Sequence, residues 1–127
     1  MPEEARPSAS TRVFKTAWFA KEARKARIAD SELCGAMRQV MQGQAEDLSG
    51  GVYKKRLNDN MHRSIILAKA GRYWIYAYLY AKKDRENIRR DELAAFRSLA
   101  KDYASANDAS IALLLKGEDL LEICHDC

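Results

Sequence analysis

The sequence predicts an α+β domain in the order βαα-βββ-αα, built around a small antiparallel-rich sheet. Three observations predict it. The hydrophobic period alternates at Arg12–Thr16, becomes helical to about residue 42, alternates again over 52–81 and returns to helical from Arg90. Short connections made of Asn, Asp and Gly separate three central strand segments, as an antiparallel meander requires. A chain of 127 residues supplies one modest core and not two.

Residues 1–11 carry two prolines and no periodicity, so they are expected to be a flexible N-terminal extension to a single domain over 12–127. Arg12–Thr16 (RVFKT) alternates polar and apolar and reads as a short strand. The next segment places Trp18, Phe19, Ala23 and Ala26 on one helical face and Lys21, Arg24, Lys25 and Arg27 on the other. Asp30-Ser31 suits the cap of a second helix, whose Leu33, Met37, Val40 and Met41 recur at helical spacing until Gly43 stops it. Val52–Leu57, Arg63–Lys69 and Tyr73–Ala81 follow as strands. They are joined by an Asn58-Asp59-Asn60 turn and an Ala70-Gly71 tight connection. Tyr73–Ala81 is rich in aromatic and branched residues on both faces, which suits a central strand.

Helical spacing resumes near Arg90. Asp91-Glu92 suit the positive end of the helix dipole, and Leu93, Phe96, Leu99, Ala100 and Tyr103 form the apolar stripe. Asn107-Asp108 suits the cap of a fourth helix ending at Gly117, and Asp119–Cys124 suits a small edge strand.

Composition narrows the class. Hydrophobic residues at 47% and charged residues at 31% are ordinary for a globular domain and exclude a wholly disordered chain, a coiled coil and a collagen. No apolar run reaches the roughly 18 residues a membrane span needs, and MPEEARPSAS lacks the apolar core of a secretory signal. Three cysteines, an odd number, argue against a disulfide framework and for a reducing compartment. A cytoplasmic location is expected. The net charge of +4 is unevenly spread: residues 12–90 hold 18 basic against 8 acidic groups, and residues 91–127 hold 3 against 8. A phosphate backbone responds to that local field rather than to the total.

The residues with chemistry lie in the basic part. In a strand, Lys54 and Arg56 share one face, and a short turn brings Arg63 beside them, with His62 adjacent. Lys82-Lys83-Asp84-Arg85 adds cations at the end of the next strand. Converging cations stabilise the charge that develops on a pentacovalent phosphate, and a Lys or His relays protons. Two other readings stay open, phosphate binding without catalysis and edge-strand Lys and Arg that only discourage aggregation. Strict alternation puts Trp74, Tyr76, Tyr78, Tyr80 and Lys82 on one face. Such a stripe is usually core, with Tyr80, nearest the basic end, as the exception expected to stack on RNA bases. Cys124-His125-Asp126-Cys127 resembles half a zinc site, but the one further cysteine, Cys34, falls on a core helix, so a solvated tail without metal is expected. No GxSxG, Walker loop, GxGxxG or two-metal carboxylate cluster occurs, and no cofactor is expected.

The segments FKTAWFAKEARKARI, DSELCGAM, GGVYKKRL, YLYAKKDRENI and ELAAFRSLAKDY, in that order between Arg12 and Cys124, resemble the RelE/HigB-like toxins of type II toxin–antitoxin systems. GGVYKKRL and AKKDRENI are the most specific pieces. The resemblance implies a βαα-βββ sheet with its helices on one face. It also implies a ribosome-dependent mRNA endonuclease, in which the 2′-OH attacks the adjacent phosphate and leaves a 2′,3′-cyclic phosphate without a metal. Carried onto this sequence, Lys54 would accept the proton, Arg56 and Arg63 would clamp the phosphate, and Lys82 would stabilise the transition state or leaving oxygen. Lys55, His62, Tyr80, Lys83 and Arg85 are expected as further RNA contacts. Many relatives carry a longer Gly- and Lys-rich loop where this chain has NDNMH, which puts His62 where it would substitute for a missing acid. The implied partners are the ribosome, mRNA and a cognate antitoxin, a helix-turn-helix protein as in the HigA group, and no membrane. A ParE-like toxin that poisons gyrase on the same fold, and a non-catalytic nucleic-acid-binding module, remain alternatives.

Overall fold

The computed structural model describes residues 11–69 and 72–125. The elements in chain order are β1 (Arg12–Thr16), α1 (Ala17–Lys25), α2 (Asp30–Met41), β2 (Glu46–Asp47), β3 (Val52–Leu57), β4 (His62–Lys69), β5 (Tyr73–Ala81), α3 (Arg90–Ala104), α4 (Asp108–Lys116) and β6 (Leu120–His125). The strands form one sheet in the order β2-β3-β4-β5-β1-β6. β1 runs parallel to β5, and every other pairing is antiparallel. The domain is therefore α+β, as expected. Residues 1–10 of the expected extension and the Ala70-Gly71 connection lie outside the described residues.

Local chemistry explains the boundaries. Thr16 Oγ1 accepts from the Phe19 N–H at 3.1 Å and starts α1. Asp30, expected as a cap, is instead the first residue of α2. Its carboxylate accepts from Lys15 Nζ at 2.7 Å, and Ala29 precedes it without a side-chain cap. Asn107 Oδ1 accepts from the Ser110 N–H at 2.8 Å and caps α4. Asn58, Asp59 and Asn60 all take positive φ (55°, 52° and 71°), a conformation that short amide and carboxylate side chains tolerate best. Gly51 needs its missing side chain. Its φ is +81°, and a Cβ there would lie 3.1 Å from the Ala68 carbonyl on β4.

The helices cover both faces of the sheet, not one. α1 and α2 pack Phe19, Leu33, Met37 and Val40 on Val13, Ile66 and Tyr76. α3 and α4 pack Ala100 and Ile111 on Phe14, Ile65, Leu67 and Ile75. The cause is in the strands. Val13 and Phe14 are consecutive and both fully buried, as are Ile65 and Ile66, so neither face can be left to water.

The aromatic stripe also departs from strict alternation. Ile65 pairs with Tyr78 but Ile66 with Tyr76, so Ala77 is an extra residue that bulges β5. Trp74 and Tyr76 consequently face α1 and α2, whereas Tyr78 and Tyr80 face the opposite layer. Trp18 stays 45% exposed outside the core and stacks on Tyr78, with ring centroids 5.0 Å apart. β6 closes the β1 edge, where Arg12 Nε meets Glu122 Oε2 at 2.8 Å.

Candidate active site

Sheet register assembles the site. Val52, Lys54 and Arg56 alternate on the α3-facing side of β3, where Lys54 is opposite Ile65 and Arg56 is opposite Arg63. Arg63 is in turn opposite Tyr80 on β5. Like charges at directly opposite positions disfavour each other, and an anion bound between them would offset that.

These residues line a cleft of about 790 Å³. Lys54, Arg56, Arg63 and Lys82, the four expected catalytic residues, all line it, as does Lys55. Gln44, Ala45, Glu46, Asn60, Glu86 and Asn87 complete the wall, so five cations face two carboxylates. A field of that sign in a recess attracts anions.

The cations are held differently. Arg63 is 8% exposed, and its Nη1 donates to the carbonyls of Asn60 at 3.0 Å and His62 at 3.2 Å, which fixes the guanidinium plane. Lys54 Nζ donates to Asn87 Oδ1 at 2.6 Å and lies 3.3 Å from Glu46 Oε1. Lys55 Nζ donates to the Gln44 carbonyl at 3.0 Å. Burial first, and then the Arg56 charge, lower the Lys55 amine below the ordinary lysine value. Arg56 and Lys82 are exposed and adaptable.

The structure does not bring the other expected contacts into this cleft. His62 pairs with Leu57 in register and faces the α1 and α2 side, where its Nδ1 is 3.2 Å from Asn58 Nδ2. It lines a separate groove with Met61 and Lys83. One residue of alternation separates it from Arg63, so His62 does not replace an acid in the cleft. Tyr80 is 6% exposed, donates its hydroxyl to the Glu86 carbonyl at 3.3 Å and lies under Arg85, 5.4 Å from guanidinium to ring centroid. Burial raises its phenol above the ordinary tyrosine value. The ring is core, not an open stacking platform. Arg85 is bonded by both amino nitrogens to the Glu92 carboxylate at the start of α3, with Nη1 at 3.2 Å from Oε2, and its Nε donates to the Asn87 carbonyl at 3.2 Å. It braces the loop after β5.

Glu46, Glu86 and Asn87 are site residues that sequence reasoning missed. Asn87 sits within AKKDRENI, but no spacing rule links it to Lys54, which is 33 positions away. The sulfurs of Cys34 and Cys124 lie 2.8 Å apart. Cys124 and His125, expected in a solvated tail, are instead the end of β6 paired with β1, and Cys124 packs on the α1 and α2 layer; Asp126 and Cys127 lie outside the described residues. Among the described residues no helix is long and apolar enough to cross a membrane.

Comparison with curated proteins returns no match, and comparison with solved structures returns none either. A family model does match: the RelE toxin of the RelE/RelB toxin–antitoxin system, over residues 11–123. Toxins of that family are generally translation-inhibiting endoribonucleases, and each is partnered by an antitoxin. With residues 11–123 of its 127 matched, the chain belongs to the RelE toxin family.

Proposed function

We propose that the chain is a ribosome-dependent mRNA endonuclease that cleaves by attack of a ribose 2′-OH on the adjacent phosphate. The observation that carries this reading is the convergence of Lys54, Arg56, Arg63 and Lys82 on one cleft. In the reaction the 2′-oxygen bonds to phosphorus, the 5′-oxygen leaves with a proton, and a 2′,3′-cyclic phosphate remains. Arg56 and Arg63 clamp the phosphate from facing strands and take up the charge of the pentacovalent state. Lys54 faces the attacking hydroxyl and takes its proton, and mobile Lys82 meets the leaving oxygen. Cations serve here in place of a metal.

The ribosome supplies what the protein lacks. The cleft is open and holds no fixed aromatic platform, because Tyr80 is buried under Arg85. Positioning the mRNA is therefore left to the decoding site, which presents a splayed codon. In the cytoplasm a helix-turn-helix antitoxin of the HigA kind holds the toxin silent.

Primer extension on an mRNA translated in a purified system tests the reading, with a parallel tube lacking ribosomes. Codon-phased cuts only with ribosomes present are expected, in EDTA-insensitive fashion where ribosome integrity is preserved by cross-linking. Growth arrest without any cut, persisting in R56A/R63A, would overturn it and point to gyrase.

A further inference from the structure

We infer that Asn87 is a positioning residue for Lys54, an inference that rests on the nuclease reading of the same cleft. A lysine side chain is long and rotamer-rich, and holding its amine at one point costs entropy unless neighbours fix it. Lys54 is fixed twice. Asn87 Oδ1 accepts from Nζ at 2.6 Å, and Glu46 Oε1 lies 3.3 Å from the same nitrogen. A lysine nitrogen has three positions besides its carbon. Two acceptors occupy two of them and leave the third for a ligand in the cleft that Lys54 lines together with Arg56 and Arg63. When the nitrogen is neutral that third position is a lone pair aimed at a 2′-OH. When it is protonated the same position is an N–H aimed at the phosphate. Asn87 sets the direction in both states, because an amide oxygen accepts from either.

Asn87 is itself held by a chain of contacts that ends in a helix. Its carbonyl accepts from Arg85 Nε at 3.2 Å, Arg85 is gripped by Glu92, and Glu92 also accepts from the Arg89 N–H at 2.7 Å at the start of α3. The loop after β5 therefore carries Asn87 to Lys54 on a braced support rather than a free one. Both residues are exposed, but Glu46 differs in lying on the two-residue strand β2 and in carrying a charge. It supplies charge, and Asn87 supplies direction.

The test combines cleavage with a direct view of the amine. Wild type, N87L, N87D, K54A and K54A/N87L are compared in single-turnover cleavage of ribosome-bound mRNA, with affinity for a single-stranded RNA measured separately. N87L is expected to lose roughly tenfold in cleavage rate with RNA affinity within twofold. N87D, which keeps an acceptor, is expected to recover most of the rate. K54A/N87L is expected to be no slower than K54A. In the uncomplexed protein, the ¹⁵Nζ–¹H signal of Lys54, identified by its absence in K54A, is expected to be visible in wild type and N87D and broadened away in N87L. Losses that multiply in the double variant, or a Lys54 signal unchanged in N87L, would overturn the inference. If wild type cuts no mRNA, the nuclease reading falls, and the nitrogen signal alone then decides whether Asn87 holds Lys54.

Discussion

Arg63 and Tyr76 show what single residues contribute. Arg63 is a nearly buried cation whose backbone-carbonyl partners hold it without neutralising it, so its charge remains available to an anion in the cleft. Arg56 faces it across two strands and is exposed, so its loss should not unfold the protein. R56A is expected to lower cleavage by about 10²–10³ with unchanged thermal unfolding. R56A/R63A is expected to remove both cleavage and toxicity, checked by primer extension and by growth after induction. Tyr76 does the opposite kind of work. Its buried hydroxyl donates to the Leu33 carbonyl at 2.6 Å, tying the central strand to α2, and burial pushes its ionisation far above the ordinary tyrosine range. Y76F leaves that carbonyl without its donor and is expected to cost about 1–3 kcal/mol in urea unfolding, with cleavage by the folded fraction unchanged.

Among the elements, the loop between β5 and α3 matters most to the site. It is secured by Arg85 and Glu92, and the Glu92 carboxyl is held below its ordinary value chiefly by the Arg85 guanidinium, then by the Arg89 N–H. A carboxyl depressed in the folded state adds stability that is present above its unfolded value, about 4.3, and is lost as pH falls through its lower folded value. The melting temperature of E92Q is therefore expected to lie below that of wild type at pH 7, and the gap is expected to close below about pH 4. Scanning calorimetry across that range checks it. The β5 bulge is the second decisive element. By inserting Ala77 it turns Tyr78 and Tyr80 toward α3, which gives Arg85 the aromatic floor on which it rests.

Along β5 the basic cleft and the ion pair that ties down α4 lie at opposite ends. The cleft lies at the end marked by Arg63, Tyr80 and Lys82. At the other end, Asp108 of α4 accepts from the Tyr73 hydroxyl and meets Arg72 Nη2 at 3.1 Å. β5, from Tyr73 at one end to Ala81 at the other, spans about 26 Å. α4, held at the far end of β5 through Asp108, therefore does not cover the basic cleft, which stays open to a polyanion. With the four cations that the reaction is proposed to use engaging phosphates, the plot of log affinity against log salt for single-stranded RNA is expected to have a slope near −3. Filter binding from 50 to 300 mM salt measures it, and the slope is expected to shrink by about one in R56A.

The sequence alone determines whatever depends on neighbours in the chain. Periodicity delimited β3 and β5 and three of the four helices nearly to the residue, because each buries one stripe or face. The four cations expected to be catalytic were legible because Lys54 and Arg56 share a strand face, a short turn brings Arg63 beside them, and Lys82 follows the next strand. Tertiary structure alone decided the rest. Strict alternation has no means of anticipating the Ala77 bulge, so Tyr80 was assigned to RNA when it belongs to the core. His62 and Arg63 are adjacent in sequence, yet a strand sends them to opposite faces, and only the sheet's position shows which face holds the cleft. Asn87 and Glu46 reach Lys54 from separate segments, a contact made by folding and by no local pattern. The helices divided between two faces because Val13-Phe14 and Ile65-Ile66 must both be shielded from water, a demand that the whole sheet makes and no single helix reveals.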